Sequence, residues 1–218
     1  MKIGVLFDLD GTLLDTLEDL TDAVNHTLVS YGYPRRSLQE IRSFVGNGVR
    51  KLISRSVPEG TEEDRVDAVL KDYLSYYQTH CRVKTRPYTG VESVLEQVVQ
   101  QYPVAIVSNK QDKAVKALCA EYFPGVYAAG ETPDCPRKPA PDMVHAAMAA
   151  LGVDACIYVG DSEVDVETAK NAGVPCLSVL WGFRDEELLR QVGGRYFCHR
   201  AEQLPQMLKN IAGEVYGQ

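Results

Sequence analysis

Cysteine pairs, basic clusters and long apolar runs are all missing from this chain. Six cysteines stand at 81, 119, 135, 156, 176 and 198. They are too widely spaced for a CxxC or a zinc-ligand motif. Cys119, Cys156 and Cys176 sit inside apolar runs, so reduced, buried thiols are expected rather than disulfides. Lys and Arg total 23 against 30 Asp and Glu, a net charge of −7. No basic cluster exceeds a pair, which argues against nucleic acid or an anionic membrane as partner. An anionic substrate would then need a local attractor, such as a bound cation. No window approaches the roughly 20 apolar residues of a membrane span. The apolar run after Lys2 meets Asp8 too soon for a signal-peptide core, so a cytoplasmic location is expected. The four histidines show no ligand spacing, and His26 falls off the apolar face of its helix. There is no internal repeat or low-complexity tract.

What is present is an alternation. Ile3 to Phe7 is a short, β-favouring apolar run that ends in Asp8. Similar runs are Val104–Val107 before Ser108, Cys156–Val159 before Gly160, and Cys176–Leu180 before Trp181. Helical patterns lie between them at Val91–Gln101, Lys113–Tyr122, Met143–Leu151 after Pro141, and Glu163–Ala172 closed by Gly173. Strands alternating with helices imply a parallel sheet covered on both faces, an α/β Rossmann-like core. Residues 15–86 break the rhythm. Leu17, Leu20, Val24 and Leu28 share a helical face, and Ser37 with Glu40 forms a capping box. Thr61 is expected to cap a helix running to about Gln78. A small all-helical segment (15–86) is thus inserted into an α/β core of 1–14 and 87–218. Trp181 is expected to pack near the sheet end, and Tyr73, Tyr76 and Tyr77 within the insertion.

The strand ends carry the polar residues, and ligands of open α/β sheets bind outside the carboxyl ends of strands. The first strand delivers Asp8-Leu-Asp10-Gly11-Thr12, with both aspartates turned to one side. The second delivers Ser108-Asn109, and a later one Gly160-Asp161-Ser-Glu-Val-Asp165. Lys138 lies in a stiff Arg-Lys-Pro-Ala-Pro loop before a helix. Singly, each has a plainer reading: a turn aspartate, a strand-end hydroxyl, a solvated lysine, a helix N-terminal carboxylate. Jointly and in order they do not. So many carboxylates in one cleft require a divalent cation or a lysine among them. Oxygen ligands suit Mg²⁺, and a hydroxyl with an ammonium beside it suits a phosphoryl group.

At these residues the sequence resembles the haloacid dehalogenase-like hydrolase superfamily, through DLDGT (8–12), SN (108–109), Lys138 in RKPAP and GDSEVD (160–165). VGNG (45–48), SNK (108–110) and WGF (181–183) are similar to its phosphoglycolate phosphatase-like branch. The resemblance implies Asp8 as nucleophile and Asp10 as general acid and base. It implies Mg²⁺ held by Asp8, the Asp10 carbonyl and Asp161. Gly11, Ser108, Asn109 and Lys138 would hold the phosphoryl group, with Asp165 and Thr12 supporting. Dehalogenases of the superfamily lack the second aspartate, so Asp10 speaks for phosphate chemistry. The insertion 15–86 has the size and position of the family's small helical cap; in it Asn47, in a Gly46-Asn47-Gly48 loop, is a candidate for facing the active site, with Arg50 or Lys51 meeting a substrate carboxylate. The expected substrate is a small phosphorylated metabolite, 2-phosphoglycolate first. Pyrophosphate, a sugar phosphate, a nucleoside monophosphate, a β-phosphoglucomutase-type transfer and a non-catalytic binding role stand behind it. A monomer or weak homodimer is expected.

Overall fold

A computed structural model of the chain describes residues 1–217. It divides into two compact units, one of Met1–Leu14 together with the chain from Pro87 on, the other Asp15–Arg86.

The first unit holds a six-stranded parallel sheet. Its strands are β1 (Ile3–Phe7), β4 (Val104–Gln111), β5 (Tyr127–Glu131), β6 (Ala155–Gly160), β7 (Cys176–Val179) and β8 (Tyr196–Cys198). The two-residue strands β2 (Leu14–Asp15) and β3 (Arg86–Pro87) lie where the chain leaves and re-enters the unit. The sheet order is β5-β4-β1-β6-β7-β8. β1 is central, with Val5 opposite Val104 on one side and Ile157 on the other. The chain builds outward from β1 in one direction through β4 and β5, then in the other through β6, β7 and β8. The reversal leaves a crevice at the carboxyl ends of β1, β4 and β6.

Strand alternation explains the layering. Val5, Phe7, Ile106, Ile157 and Val159 share a core with α5 (Val91–Val99), α6 (Asp112–Tyr122) and α10 (Leu204–Tyr216). Leu6, Ala105, Val107 and Cys156 pack with α7 (Asp142–Leu151) and α8 (Glu163–Ala172) on the other face. Each fully buried Leu or Ile contributes about 1.5–3 kcal/mol by leaving water. Gly152 and Gly173 close α7 and α8 in the left-handed conformation, as their positions after apolar periodic runs predict.

Two strands and two helices of this unit escape the apolar-run reading. β5 reads Tyr-Ala-Ala-Gly-Glu and is half-buried at the sheet edge, and β8 has three residues. Neither is long or apolar enough to register as a run. Helices α9 (Glu186–Gln191) and α10 follow beyond the last strand signal.

The second unit is helical: α1 (Leu17–Ser30), α2 (Leu38–Phe44), α3 (Val49–Ser56) and α4 (Glu63–His80). Leu20, Val24 and Leu28 are buried, as are Tyr73 and Tyr77, while Tyr76 is partly so. The capping box forms: Ser37 Oγ accepts from the Glu40 N–H at 3.2 Å, and Glu40 Oε2 accepts from the Ser37 N–H at 2.7 Å. Thr61 does not cap α4. Its hydroxyl instead donates to the Pro58 carbonyl at 2.7 Å, closing a turn, and Glu62 stands at the N-cap. His26 is exposed and stacks on Tyr76, which also stacks on His80. Asp19, 3% exposed, accepts from the backbone N–H groups of Val83, Lys84 and Thr85. These charge-assisted bonds tie the unit's last residues back to its first helix.

Candidate active site

The carboxyl ends of β1, β4 and β6 bring most of the sequence candidates together. β1 ends in Asp8, whose N–H donates to the Val159 carbonyl at 2.8 Å. The chain then turns at Gly11, with φ of +87°. A side chain here would be strained, and its Cβ would fall 2.4 Å from Asp161 Oδ2. Glycine thus lets the β1 turn and the β6 end touch.

Lys138 is the hub. Its Nζ lies 2.7 Å from Asp8 Oδ1, 2.9 Å from Asp165 Oδ1 and 2.9 Å from the Tyr158 hydroxyl. Asn109 aims it: Asn109 Nδ2 donates to the Lys138 carbonyl at 2.9 Å, and the Lys138 N–H donates to Asn109 Oδ1 at 2.8 Å. A strand-end amide thereby fixes the backbone of a loop 29 residues away in sequence. Asp165 accepts through Oδ2 from the Asp161 N–H at 3.2 Å, the Ser162 N–H at 3.0 Å and the Ser162 hydroxyl at 2.7 Å. Both its oxygens are therefore engaged. Asp161 is fully buried and accepts from the Thr12 hydroxyl at 3.0 Å and the Phe183 N–H at 2.7 Å. Ser108, within the buried part of β4, accepts through Oγ from the Lys110 N–H at 3.2 Å.

The electrostatics follow from burial. Removal from water pushes the Asp8 carboxyl up to about 7; Lys138 pulls it down and Asp165 adds to the rise. The Asp161 carboxyl is driven well above the usual carboxylate range, by burial first and then by Asp165 and Asp8. Burial works against the Lys138 ammonium, but Asp165 and Asp8 outweigh it and hold that group well above its ordinary value. Oxygens of Asp8, Asp161 and Asp165 lie within 4.8 Å of one another. Three carboxylates thus face one ammonium. The two donors to Asp161 are both neutral, and Asp165 is saturated. Asp8 and Asp161 are the pair whose charge calls for a cation, and their hard oxygens suit Mg²⁺.

The remaining candidates belong to the helical unit. Asn47 is half-buried between α2 and α3. The guanidinium of Arg50 pairs with Asp67 and Glu63 of α4, inside the helical unit, and Lys51 is exposed.

Three contributors were assigned no functional role from the sequence, although two of them lie in the SNK (108–110) and WGF (181–183) motifs. Lys110 pairs with Asp10. Tyr158 hydrogen-bonds Lys138 from within an apolar strand, where it reads as core. The segment after β7 closes over Asp161: a Cβ on Gly182 would sit 2.3 Å from the Gly11 carbonyl oxygen and 2.4 Å from Asp161 Cβ. Next to it, Trp181 Nε1 donates to the Thr12 carbonyl at 2.9 Å. The signal for Lys110 was available, since strand alternation places it on the same side as Ser108.

Comparison with known proteins supplies a lineage for this arrangement. The model of a family described as haloacid dehalogenase-like hydrolase matches residues 5–179. The phosphoglycolate phosphatase of Rhodobacter capsulatus is 36% identical over 197 residues, 86% of this chain and 89% of that protein. The phosphoglycolate phosphatase of Neisseria meningitidis serogroup A is 32% identical over 221 residues, 95% and 93% of the two chains. A solved structure from Lactobacillus delbrueckii subsp. bulgaricus superposes with a TM-score of 0.89 at 34% identity, covering 94% of this chain and 97% of that one. A haloacid dehalogenase-like family hydrolase from Streptococcus pneumoniae shares the fold, with a TM-score of 0.85 at 22% identity over 95% and 98% of the chains.

Proposed function

The chain belongs to the haloacid dehalogenase-like hydrolase family, and from that membership we propose that it is a Mg²⁺-dependent phosphatase of small phosphate monoesters, 2-phosphoglycolate first among them. One observation carries the reading. At the sheet's crevice Asp8 touches the buried ammonium of Lys138, beside an Asp161 whose hydrogen-bond donors are neutral. The substrate preference is supported by relatives named as phosphoglycolate phosphatases at 32–36% identity.

In this reading one Asp8 oxygen attacks phosphorus while the ester P–O bond breaks, and Asp10 delivers its proton to the leaving alkoxide oxygen. The product is an alcohol and an aspartyl-phosphate at Asp8. Water then attacks phosphorus, Asp10 takes the water's proton, and phosphate departs with Asp8 restored. Ser108 and Lys138, with backbone N–H groups near Gly11 and Asn109, hold the phosphoryl oxygens. Lys138 also keeps the anionic nucleophile and Asp165 compatible with each other. Asp8, Asp161 and the Asp10 carbonyl would hold Mg²⁺. Its positive charge lets an anionic nucleophile meet an anionic ester. Thr12 orients Asp161, and Asp165 braces Lys138. The six cysteines are free thiols, which suits a reducing, cytoplasmic setting. Among the described residues no helix is long and apolar enough to cross a membrane.

The test is turnover of p-nitrophenyl phosphate, 2-phosphoglycolate, pyrophosphate, a sugar phosphate and a nucleoside monophosphate, with Mg²⁺ and with EDTA. Turnover is expected only with Mg²⁺, highest kcat/KM is expected for 2-phosphoglycolate, and Asp8→Asn is expected to be inactive. Full turnover in EDTA, or by Asp8→Asn, would overturn the mechanism. A different preferred ester would overturn only the substrate.

A further inference from the structure

β4 does not stop at Ser108. It continues to Gln111, with an irregularity in its pairing to β5 beyond Val107. This extension carries Lys110 into the crevice. Its Nζ lies 2.8 Å from Asp10 Oδ1 and 3.0 Å from Asp10 Oδ2. The two side chains are only 6% and 13% exposed. We propose that Lys110 is a positioning residue for Asp10: it holds both oxygens of the carboxylate that takes the water's proton, and keeps one of them when the other carries the proton bound for the leaving oxygen. The inference rests on the acid–base reading of Asp10 given above.

Three observations carry it. First, burying a lysine sacrifices hydration and up to about 2 kcal/mol of side-chain entropy. Sequestering Lys110 against a carboxylate that is itself nearly covered is not the arrangement of a solvated surface charge. Second, contact with both oxygens fixes the carboxylate plane. Asp10 stands on the turn after β1, where its backbone meets Leu14 in an isolated bridge, and its side chain is left for Lys110 to place. Third, the backbone that presents Lys110 is itself clamped. Its N–H donates to Ser108 Oγ. Gly130 of β5 lies so close that a Cβ there would fall 2.5 Å from the Lys110 carbonyl oxygen and 2.6 Å from Asp112 Cα. The Gly130 N–H donates to Asp112 Oδ1 at 3.1 Å. The edge strand thereby lies against the backbone that carries the lysine. The two buried ammoniums divide the labour: Lys138 serves Asp8 and Asp165, Lys110 serves Asp10.

The experiment is a double-mutant cycle with Lys110→Met, Asp10→Asn and the pair. It is read as kcat and KM for 2-phosphoglycolate and kcat/KM for p-nitrophenyl phosphate, with Tm recorded for each variant. Misplacing a reacting group by about 1 Å costs roughly 10²-fold. Lys110→Met is therefore expected to lower kcat for the alkyl ester roughly 10²-fold, with KM within about threefold of wild type. The loss in kcat/KM should be much smaller for the aryl ester, whose leaving group needs little protonation. Lys110→Arg should recover most of the rate. With Asp10 already replaced by asparagine, removing Lys110 should cost nothing further. If the two losses multiply instead, Lys110 acts independently of Asp10 and the proposal fails while the acid–base reading stands. A raised KM at unchanged kcat would make Lys110 a substrate-binding cation and equally overturn the proposal. Wild-type turnover by Asp10→Asn would refute the acid–base reading and the proposal with it. Should Lys110→Met fail to fold, the same cycle is run with Lys110→Gln.

Discussion

In metal-free buffer the Asp8→Asn variant is expected to gain stability over the wild type as pH rises. Burial chiefly, with Asp165 adding and Lys138 opposing, moves the Asp8 carboxyl from 3.8 to about 7. The folded chain therefore keeps this proton to about pH 7, whereas the unfolded chain releases it near the ordinary value. Across that window unfolding releases a proton, so the wild type loses stability as pH rises, and the loss is complete above the folded value. At 1.36 kcal/mol per pH unit the whole loss is on the order of 4 kcal/mol, of which about 3 kcal/mol lies between pH 5 and pH 8. The amide that replaces the carboxyl cannot ionise, and the variant escapes this loss. The assay is urea unfolding of both proteins in EDTA at those two pH values. The difference between their unfolding free energies should shift by about 3 kcal/mol in favour of the variant, which is about 1 M or more in relative urea midpoint. Excess Mg²⁺ should restore the wild type at pH 8 by binding the folded state and do less for the variant. Parallel stability curves for the two proteins across pH would refute the argument, because they would mean that Asp8 is already accommodated as a carboxylate.

Two further outcomes are expected from the same crevice. Mg²⁺ at about 100 times its Kd should stabilise the wild type by about 2.7 kcal/mol, a Tm rise of roughly 5–10 °C. Asp161→Asn should remove most of that rise, and an unchanged Mg²⁺ response would take Asp161 out of the ligand set. Gly182→Ala places a methyl group against the Gly11 carbonyl and Asp161. It should cost about 1–3 kcal/mol of stability by overpacking and roughly 10²-fold or more in kcat. Turnover within about threefold of wild type would show that this segment can yield.

Much of the architecture was legible because its causes are local. β1 is a run of five apolar residues with a strand's length, and α8 carries its own stop at Gly173. The capping box at Ser37 needs only residues three apart. What escaped is what depends on neighbours far along the chain. β5 is a strand because the β4 edge offers it partners, not because Tyr-Ala-Ala-Gly-Glu prefers to be one. Thr61 has the residue type of a cap, yet its hydroxyl is claimed by Pro58. In the crevice, Asp8, Asp161, Asp165 and Lys138 were legible as strand-end and loop polar groups that the structure brings into contact. Tyr158 was not, since a phenol inside Ala-Cys-Ile-Tyr-Val-Gly looks like packing until a buried ammonium appears beside it. Arg50 was singled out for its loop, but the carboxylates of Asp67 and Glu63 that pair with it come from a helix the loop itself does not reveal.

The position of β1 at the centre of the sheet has a consequence for how the protein is made. The strand is synthesised before either of its neighbours and is apolar on both faces. Its first partner, β4, arrives only with residues 104–111, and its second, β6, with 155–160. Pairing across such separations is slow, and an unpaired apolar strand is a template for association with other chains. The intervening helices satisfy their own backbone groups from local contacts while β1 waits. Chains interrupted before β6 therefore carry an open edge at the strand that holds Asp8, and they are expected to aggregate rather than accumulate as folded fragments.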